Sequence, residues 1–175
     1  MKKFLNFAIF IFFLSFVHLP LMGEGPGVRA ALACSTETYY SPADDVEAVI
    51  LGELAQAKKT VHVAAYALTD SEIADRLIEL QKRGVEVVVY LDKTQASRKL
   101  SKDEELRAAG VTVIIKKGRY LMHDKYIIID RRTVITGSYN FSESARRQDN
   151  NVVVLEHCLK RAREYEADFG RLTGR

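Results

Sequence analysis

Six residues in the second half of the chain have types and spacings suited to chemistry on a phosphate group. They are His123, Lys125, Asp130, Gly137, Ser138 and Asn140. An imidazole can attack phosphorus or carry a proton, and a lysine ammonium can stabilise charge on the non-bridging oxygens. Hydroxyl and amide groups can hold the same oxygens, while a glycine lets the backbone approach a ligand closely. The set therefore predicts a site for phosphoryl chemistry.

Two apolar strands must position these residues. YIIID at 126–130 and TVITGSYN at 133–140 are separated only by two arginines, which predicts a hairpin with a two-residue turn. Side chains alternate along a strand, so His123 and Lys125 share one face. In this register Lys125 lies opposite Ser138 and His123 lies opposite Asn140. The four polar side chains are then expected to form one patch.

Asp130 has the opposite parity, so the strand places it away from that patch. Two roles are open for its carboxylate. It can belong to the catalytic set, or it can hold the turn through Arg131, Arg132 or backbone amides, which is at least as good an interpretation.

The remaining elements predict a single α/β domain. Helices are indicated at 44–59, 70–84 and 101–110, the third opening with a capping box of Ser101 and Glu104. Strands are indicated at 61–65, 85–91 and 111–117, and a last strand at 150–156 precedes a C-terminal helix. Strands joined through helices require crossovers, so we expect a mixed, mostly parallel sheet flanked by helices.

The N-terminus predicts an export signal. Two lysines precede an apolar run from Phe4 to Val17, the arrangement of a secretory signal peptide. An uncleaved membrane anchor is the alternative, because extending the run to Met22 gives the roughly 20 residues of a span. Residues 1–33 are therefore assigned to a signal peptide or anchor, and residues 34–175 to the functional domain. The protein is expected to be exported to the periplasm or secreted, or else held at a membrane.

Charge and cysteine content narrow the class of partner. From Cys34 onward 23 Lys and Arg face 22 Asp and Glu, so net charge is uninformative. Between Lys116 and Arg147, however, there are eight basic residues and three acidic ones, which suits an anionic substrate.

The chain has two cysteines, Cys34 and Cys158. Export permits a disulfide, yet a small buried thiol is the preferred interpretation of Cys158. No Cys/His spacing is typical of a zinc site.

The six residues resemble a known signature. His123-x-Lys125, four residues, Asp130, six residues and Gly137-Ser138-x-Asn140 match in full the HxKxxxxDxxxxxxGSxN motif of the phospholipase D superfamily. The segments YALTDSEIADRLIELQKRGVEVVVYLD and TGSYNFSESA are similar to the small bacterial endonuclease branch of that family. The resemblance covers most of the chain from about Tyr39 onward and implies a phospholipase D/nuclease-like fold.

The resemblance also implies a reaction. In this family one histidine attacks the phosphodiester to give a phosphohistidine, a second histidine protonates the leaving alcohol, and no metal or other cofactor is required. Each active site needs two motifs, whereas this sequence holds one, which implies a homodimer with two facing His123 side chains. His123, Lys125 and Asp130 become the catalytic set, Ser138 and Asn140 the phosphate-binding pair, and Gly137 a supporting residue.

The sequence leaves alternatives for the substrate and for the residue that orients His123. Nucleic acid is the expected substrate, with Tyr120 among the aromatics that could stack on bases. Phospholipid and a catalytically weak binding protein are the alternatives. Members of the endonuclease branch often carry a glutamate before the last strand, where it can orient a histidine. Here Asn150 most nearly takes that place as a supporting residue, with Asp149 beside it.

Overall fold

The computed structural model describes residues 33–175, so the assignment of a signal peptide or anchor lies almost entirely outside the described residues. One sheet of seven strands forms the centre, in the order β1-β7-β6-β5-β2-β3-β4. The strands are β1 Ser35–Ser41, β2 Thr60–Ala65, β3 Glu86–Leu91, β4 Thr112–Ile115, β5 Lys125–Ile129, β6 Thr133–Gly137 and β7 Asn150–Glu156. The helices are α1 Val46–Ala55, α2 Ser71–Lys82, α3 Lys93–Ala96, α4 Asp103–Ala108 and α5 Leu159–Thr173, with a 3-10 turn at Glu143–Arg147.

The predicted single α/β domain with a mixed sheet is confirmed, but the expectation of mostly parallel pairing is wrong. Only β2 with β3 and β3 with β4 pair in parallel. The other four pairings are antiparallel. The β5–β6 pair is antiparallel because only the three residues 130–132 connect these strands, whereas parallel neighbours need long crossovers. Since β5 also runs antiparallel to β2, the start of β5 lies at the same edge of the sheet as the carboxyl ends of β2, β3 and β4.

Helix starts follow side-chain capping where the sequence provides it. Asp45 accepts a hydrogen bond from the Ala48 amide at the start of α1 (3.1 Å), and Asp70 accepts one from Ile73 at the start of α2 (3.2 Å). The capping box predicted at Ser101 is wrong. Its hydroxyl donates to Asp103 Oδ1 (2.7 Å), and α4 begins without a side-chain cap.

Helices cover both faces of the sheet. Alternating side chains of β2, β3 and β5 send one set toward α1, α2 and α4, where the larger core forms around residues such as Ile50, Leu77 and Ile127. The opposite set, including Tyr126 and Ile128, packs against Phe169 of α5. Burying both faces explains why these strands are apolar at nearly every position. No helix within residues 33–175 is long and apolar enough to cross a bilayer.

A disulfide bond that the sequence did not predict lies at the start of the edge strand β1. β1 runs antiparallel to β7, and Ser35 pairs with Glu156. This pairing brings Cys34 to Cys158, and the two form a disulfide with their Cα atoms 4.5 Å apart. The preferred interpretation of Cys158 as a free buried thiol is therefore wrong, because both cysteines are used in the bond.

We expect the disulfide to contribute substantially to stability. It closes a loop with a sequence separation of 124 residues, and a cross-link over so long a loop lowers the entropy of the unfolded chain. The double variant Cys34→Ser/Cys158→Ser should lose about 2–5 kcal/mol of unfolding free energy. Urea unfolding of the oxidised protein and the variant measures this difference. Adding dithiothreitol should destabilise the wild type to the level of the variant and leave the variant unchanged; equal midpoints without reductant would contradict the prediction.

Candidate active site

His123 lies at the open edge of the sheet, just before β5. Its side chain is exposed, and its ring centroid lies 4.5 Å from that of Tyr66, with the two planes tilted by 59°. The backbone on either side is fixed: the Tyr66 amide donates to the Asp124 carbonyl (2.9 Å), and the Met122 amide donates to Asp92 Oδ2 (2.9 Å). The imidazole is thus held on a fixed backbone and remains accessible to a substrate.

Lys125 lies beneath the same aromatic ring. Its side chain is buried, its Nζ lies 5.2 Å from the Tyr66 ring centroid, and it donates to the His123 carbonyl (2.5 Å). Both side chains contact Tyr66, which agrees with the predicted shared face of His123 and Lys125. Burial lowers the pKa of Lys125, and the nearby Asp124 opposes that shift. The ammonium therefore lies close to the imidazole in a partly desolvated position, where its charge acts strongly on a bound anion.

The lowered pKa of Lys125 predicts the alkaline limit of activity. The charged ammonium is the form that binds phosphate, and burial makes it release its proton at a lower pH than an ordinary lysine. We expect kcat/KM to fall on the alkaline side with an apparent pKa below that of a free lysine. Lys125→Arg, although less active, should lose this alkaline limb because a guanidinium stays charged. A pH profile of kcat/KM for both proteins tests this prediction. If the fall in kcat/KM at alkaline pH were unchanged in Lys125→Arg, the titration of another group would cause it.

Two residues that the sequence did not single out hold this arrangement. Asp92 is fully buried at the end of β3, caps α3 through Thr94 and accepts from the Met122 amide. Burial alone would raise the pKa of Asp92, but these hydrogen bonds hold it below its ordinary value. Gln95 on α3 donates to the Tyr66 hydroxyl (2.9 Å). An acid that directly follows an apolar strand was the available signal for Asp92.

The hairpin register differs from the prediction by one residue. Tyr126 pairs with Thr136 and Ile129 with Thr133, so three residues, 130–132, connect the strands. Asp130 and Arg131 adopt positive φ values of 51° and 55°, which takes Asp130 out of the ladder. The predicted pairings of Lys125 with Ser138 and of His123 with Asn140 are therefore wrong.

Ser138 contacts the neighbouring strand rather than His123. Its hydroxyl accepts from the Asn151 amide (3.0 Å) and donates to Asn150 Oδ1 (3.3 Å). The side-chain amide of Asn150 donates in turn to the carbonyls of Ala145 (3.3 Å) and Gln148 (3.2 Å). Within one chain Asn150 thus supports Ser138, and its proposed contact with a histidine stays a prediction.

On either side of Ser138 in the sequence, Gly137 packs against β7 and Asn140 has a buried side-chain oxygen. A Cβ on Gly137 would lie 2.1 Å from the Asn151 carbonyl oxygen, so only glycine fits where β6 meets β7. Asn140 Oδ1 is buried and has no hydrogen-bond partner among the described residues. An amide held in this way has a free acceptor for a substrate hydroxyl or a water molecule.

Asp130 lies at the far end of β5 and braces another strand. Its carboxylate accepts three backbone N–H groups at the start of β2, from Lys58 (2.9 Å), Lys59 (2.7 Å) and Thr60 (3.0 Å). Five strand residues separate it from the His123 end. The structure thus keeps Asp130 apart from His123 and Lys125, and its partners are backbone amides of β2 rather than its own turn.

The fold also separates the basic residues that were predicted to surround the motif. Arg131 and Arg132 lie with Asp130 at the opposite end of the sheet. Arg146 binds Glu47 (2.6 Å) and Asp70 (3.4 Å), so its charge is neutralised. Burial and the neighbouring Asp70 raise the pKa of Glu47, and Arg146 opposes them. Three of the eight cations expected in this field therefore do not act at the site.

A different set of cations lies at the edge occupied by His123. The segments 93–101 and 116–121, which we name the basic rim, contain six basic residues and no acidic one. These are Lys93, Arg98, Lys99, Lys116, Lys117 and Arg119. Both segments follow the carboxyl ends of parallel strands, β3 and β4, so both lie at the edge where β5 begins. The rim adds residues 93–101, which the sequence did not connect with the site.

A cleft of about 460 Å³ leads from His123 and Lys125 toward α5. Its walls include Thr136 and Gly137 of β6, and Glu164, Tyr165 and Asp168 of α5. The Tyr126 hydroxyl donates to Asp168 Oδ2 (3.0 Å), and burial raises the pKa of that tyrosine. The cleft can hold a leaving group next to the imidazole. Within residues 33–175 no cluster of three His, Cys, Asp or Glu side chains is arranged to hold a metal ion.

Comparison with known proteins identifies the family to which this fold belongs. The family model described as cardiolipin synthase, PLD-like domain, matches residues 50–173. The chain therefore belongs to the phospholipase D superfamily. It is 36% identical over 130 residues to a phospholipase D of Rickettsia felis, covering 74% of this chain and 65% of the relative. It is 30% identical over 122 residues to a mitochondrial cardiolipin hydrolase of Chlamydomonas reinhardtii, covering 70% of this chain and 55% of that relative. The chain thus spans less than two thirds of the length of these relatives.

Solved structures agree with this assignment. Nuc from Salmonella typhimurium, a phospholipase D family member, superposes with a TM-score of 0.76 at 27% identity, covering 80% of this chain and 94% of that one. NucT from Helicobacter pylori superposes with a TM-score of 0.73 at 20% identity, which supports the fold. The superpositions cover 94% of Nuc and 96% of NucT.

Proposed function

We propose that this protein is a phosphodiesterase that cleaves nucleic acid through a phosphohistidine formed on His123. The observation that carries the proposal is the pairing of an exposed imidazole with a buried lysine at one sheet edge, both packed on Tyr66. A nucleophile must be accessible, whereas a cation that stabilises charge acts best when partly desolvated. His123 and Lys125 meet these two requirements.

The reaction would proceed in two displacements. A ring nitrogen of His123 attacks phosphorus, a phosphorus–nitrogen bond forms, and the bond to the leaving oxygen breaks as that oxygen takes a proton from a general acid. Water then attacks phosphorus, gives its proton to the same group, and displaces His123. One diester and one water become a phosphomonoester and an alcohol. Lys125 would hold the non-bridging oxygens, together with the side-chain N–H groups of Asn140 and with the Ser138 hydroxyl after it exchanges its bond to Asn150 for one to phosphate.

The general acid would come from a second copy of the chain. Of the other histidines within residues 33–175, His62 is bonded to Glu166 (2.9 Å), stacks on Phe169 and pairs with Ile128 in the middle of the sheet. His157 lies beside Arg132 at the opposite end. Neither can reach a phosphate bound at His123. A symmetric homodimer would supply His123 of the partner subunit as acid.

Two observations support nucleic acid as the substrate. The sequence resembles the small bacterial endonuclease branch, and the superposition covers 94% of Nuc. The basic rim would also give phosphate contacts that do not depend on base sequence. Phospholipid is the second candidate, because the relatives in Rickettsia felis and Chlamydomonas reinhardtii carry the names phospholipase D and mitochondrial cardiolipin hydrolase.

Side-by-side assays on DNA, RNA, phosphatidylcholine and cardiolipin test the proposal, with His123→Ala as the blank. We expect cleavage of nucleic acid that survives excess EDTA, and a dimer by sedimentation. Hydrolysis of lipid alone would favour the second candidate. Complete loss with EDTA and recovery with a divalent ion, or full activity as a monomer, would contradict the mechanism.

A further inference from the structure

Tyr120 presents a large ring to solvent close to the catalytic edge. It is 71% exposed, and the guanidinium carbon of Arg119 lies 4.8 Å from its ring centroid. Only two residues separate it from His123 in the sequence. A partner that covers this ring would remove apolar surface from water, which is favourable. With the guanidinium against one face of the ring, the other face is available for a flat partner.

The segment that carries Tyr120 is fixed at both ends. The Lys116 amide donates to the Leu91 carbonyl (2.9 Å), and the Met122 amide donates to Asp92 Oδ2 (2.9 Å). Both acceptors lie at the carboxyl end of β3, so the segment returns across that edge and ends at His123. Backbone hydrogen bonds therefore hold the segment that carries Tyr120 at the edge of the sheet where His123 lies.

The charge around Tyr120 selects a polyanion. Both segments of the basic rim carry cations, and neither segment contains a carboxylate. Lys117 and Arg119 precede Tyr120 in the sequence, and both are exposed. Cations along an edge, with an aromatic ring next to them, match a backbone of repeating phosphates that carries flat bases. A free phosphate ion would be bound by the cations alone and would make no use of the aromatic ring.

We propose that Tyr120 is a base-stacking platform and that the basic rim holds the phosphates of a single strand, so the preferred substrate is single-stranded nucleic acid. This inference rests on the proposed function and narrows its substrate class. In a duplex both faces of each base are covered by neighbours, whereas an unpaired base exposes a face to Tyr120. A strand stacked there would be led directly to His123.

The test compares kcat/KM on a fluorescent single-stranded oligonucleotide and on its duplex, using the full chain. We expect the wild type to favour the single strand. Tyr120→Ala should lower kcat/KM for the single strand by about 5- to 150-fold and bring the ratio between the two substrates toward unity, while Tyr120→Phe keeps most of the preference. Tyr40→Ala is the matched control, because Tyr40 is exposed on the edge strand β1; it should keep the wild-type ratio.

The salt dependence of binding tests the rim separately. Lys117→Ala should reduce the slope of log affinity against log salt by about 0.7 for a single strand, and Lys160→Ala, an exposed lysine on α5, should not. An unchanged single-strand preference in Tyr120→Ala would overturn the inference. The inference would also be overturned if Tyr120→Ala cleaved nucleic acid normally but bound phosphatidylglycerol vesicles more weakly. That result would mark a membrane-contacting surface.

Failure of the proposed function gives a different result. A wild type that hydrolyses bis(p-nitrophenyl) phosphate in a His123-dependent manner but cleaves no nucleic acid would refute nuclease activity itself. Equal wild-type cleavage of single and double strands would leave the nuclease intact and refute only the role of Tyr120.

Discussion

His123→Ala should abolish turnover and leave a folded protein. If the imidazole forms the covalent bond to phosphorus, its removal eliminates the nucleophile, and we expect kcat to fall by about 10⁴-fold or more. The side chain is exposed and its ring contacts Tyr66, so little packing is lost. The rate on a phosphodiester substrate, together with circular dichroism, measures both effects. His157→Asn is the matched control, because it removes an exposed histidine at the opposite end and should retain full activity.

Mixing the two chains tests whether one site uses two copies of His123. A hybrid dimer of wild type and His123→Ala lacks either the nucleophile or the general acid, so it should be inactive. After subunits exchange in an equimolar mixture, about one quarter of the dimers are wild type on both sides and should carry the activity. A mixture that keeps about half of the activity would show that each chain works independently. Denaturing wild-type chains during turnover at alkaline pH, where a phosphorus–nitrogen bond to histidine persists, and detecting phosphorus on His123 would identify the intermediate directly.

The elements that position His123 could be predicted because their signals are local. The helix predicted at 70–84 has apolar residues at helical spacing, and the structure forms α2 there. The strand β1 gave no such signal, because its residues STETYYS are nearly all exposed and do not alternate. Its place depends on pairing with β7, which is far away in the sequence. The disulfide went unpredicted for the same reason.

The site was predicted in residue type more fully than in geometry. Strand alternation correctly placed His123 and Lys125 together, since both contact Tyr66. The register failed because a residue outside the hairpin decides it: the backbone of Lys58 to Thr60 draws Asp130 out of the strand. Tyr66, Asp92 and Gln95 were missed because their roles exist only after three separate segments meet. Sequence patterns describe each segment, and they do not describe contacts between them.

Asp130 should behave as a stability residue although it belongs to the signature. Its carboxylate accepts three backbone hydrogen bonds, and hydrogen bonds to a charged group contribute about 1.5–3 kcal/mol each when taken singly. Because such contributions are not additive, we expect Asp130→Ala to lose about 3–5 kcal/mol of unfolding free energy. About 1 kcal/mol of this would come from placing alanine at a positive φ.

Two further variants separate the causes. Asp130→Gly removes the carboxylate but accepts the φ of 51° without strain, so its loss combines the hydrogen bonds with the larger backbone entropy of glycine. Asp130→Asn accepts the same φ and keeps an acceptor oxygen, and it should lose less than either of the others. Urea midpoints give the three values. Because Asp130 lies about 20 Å along the strand from His123, kcat per folded molecule should stay near that of the wild type in Asp130→Asn. Full stability with lost turnover in that variant would instead assign Asp130 to catalysis.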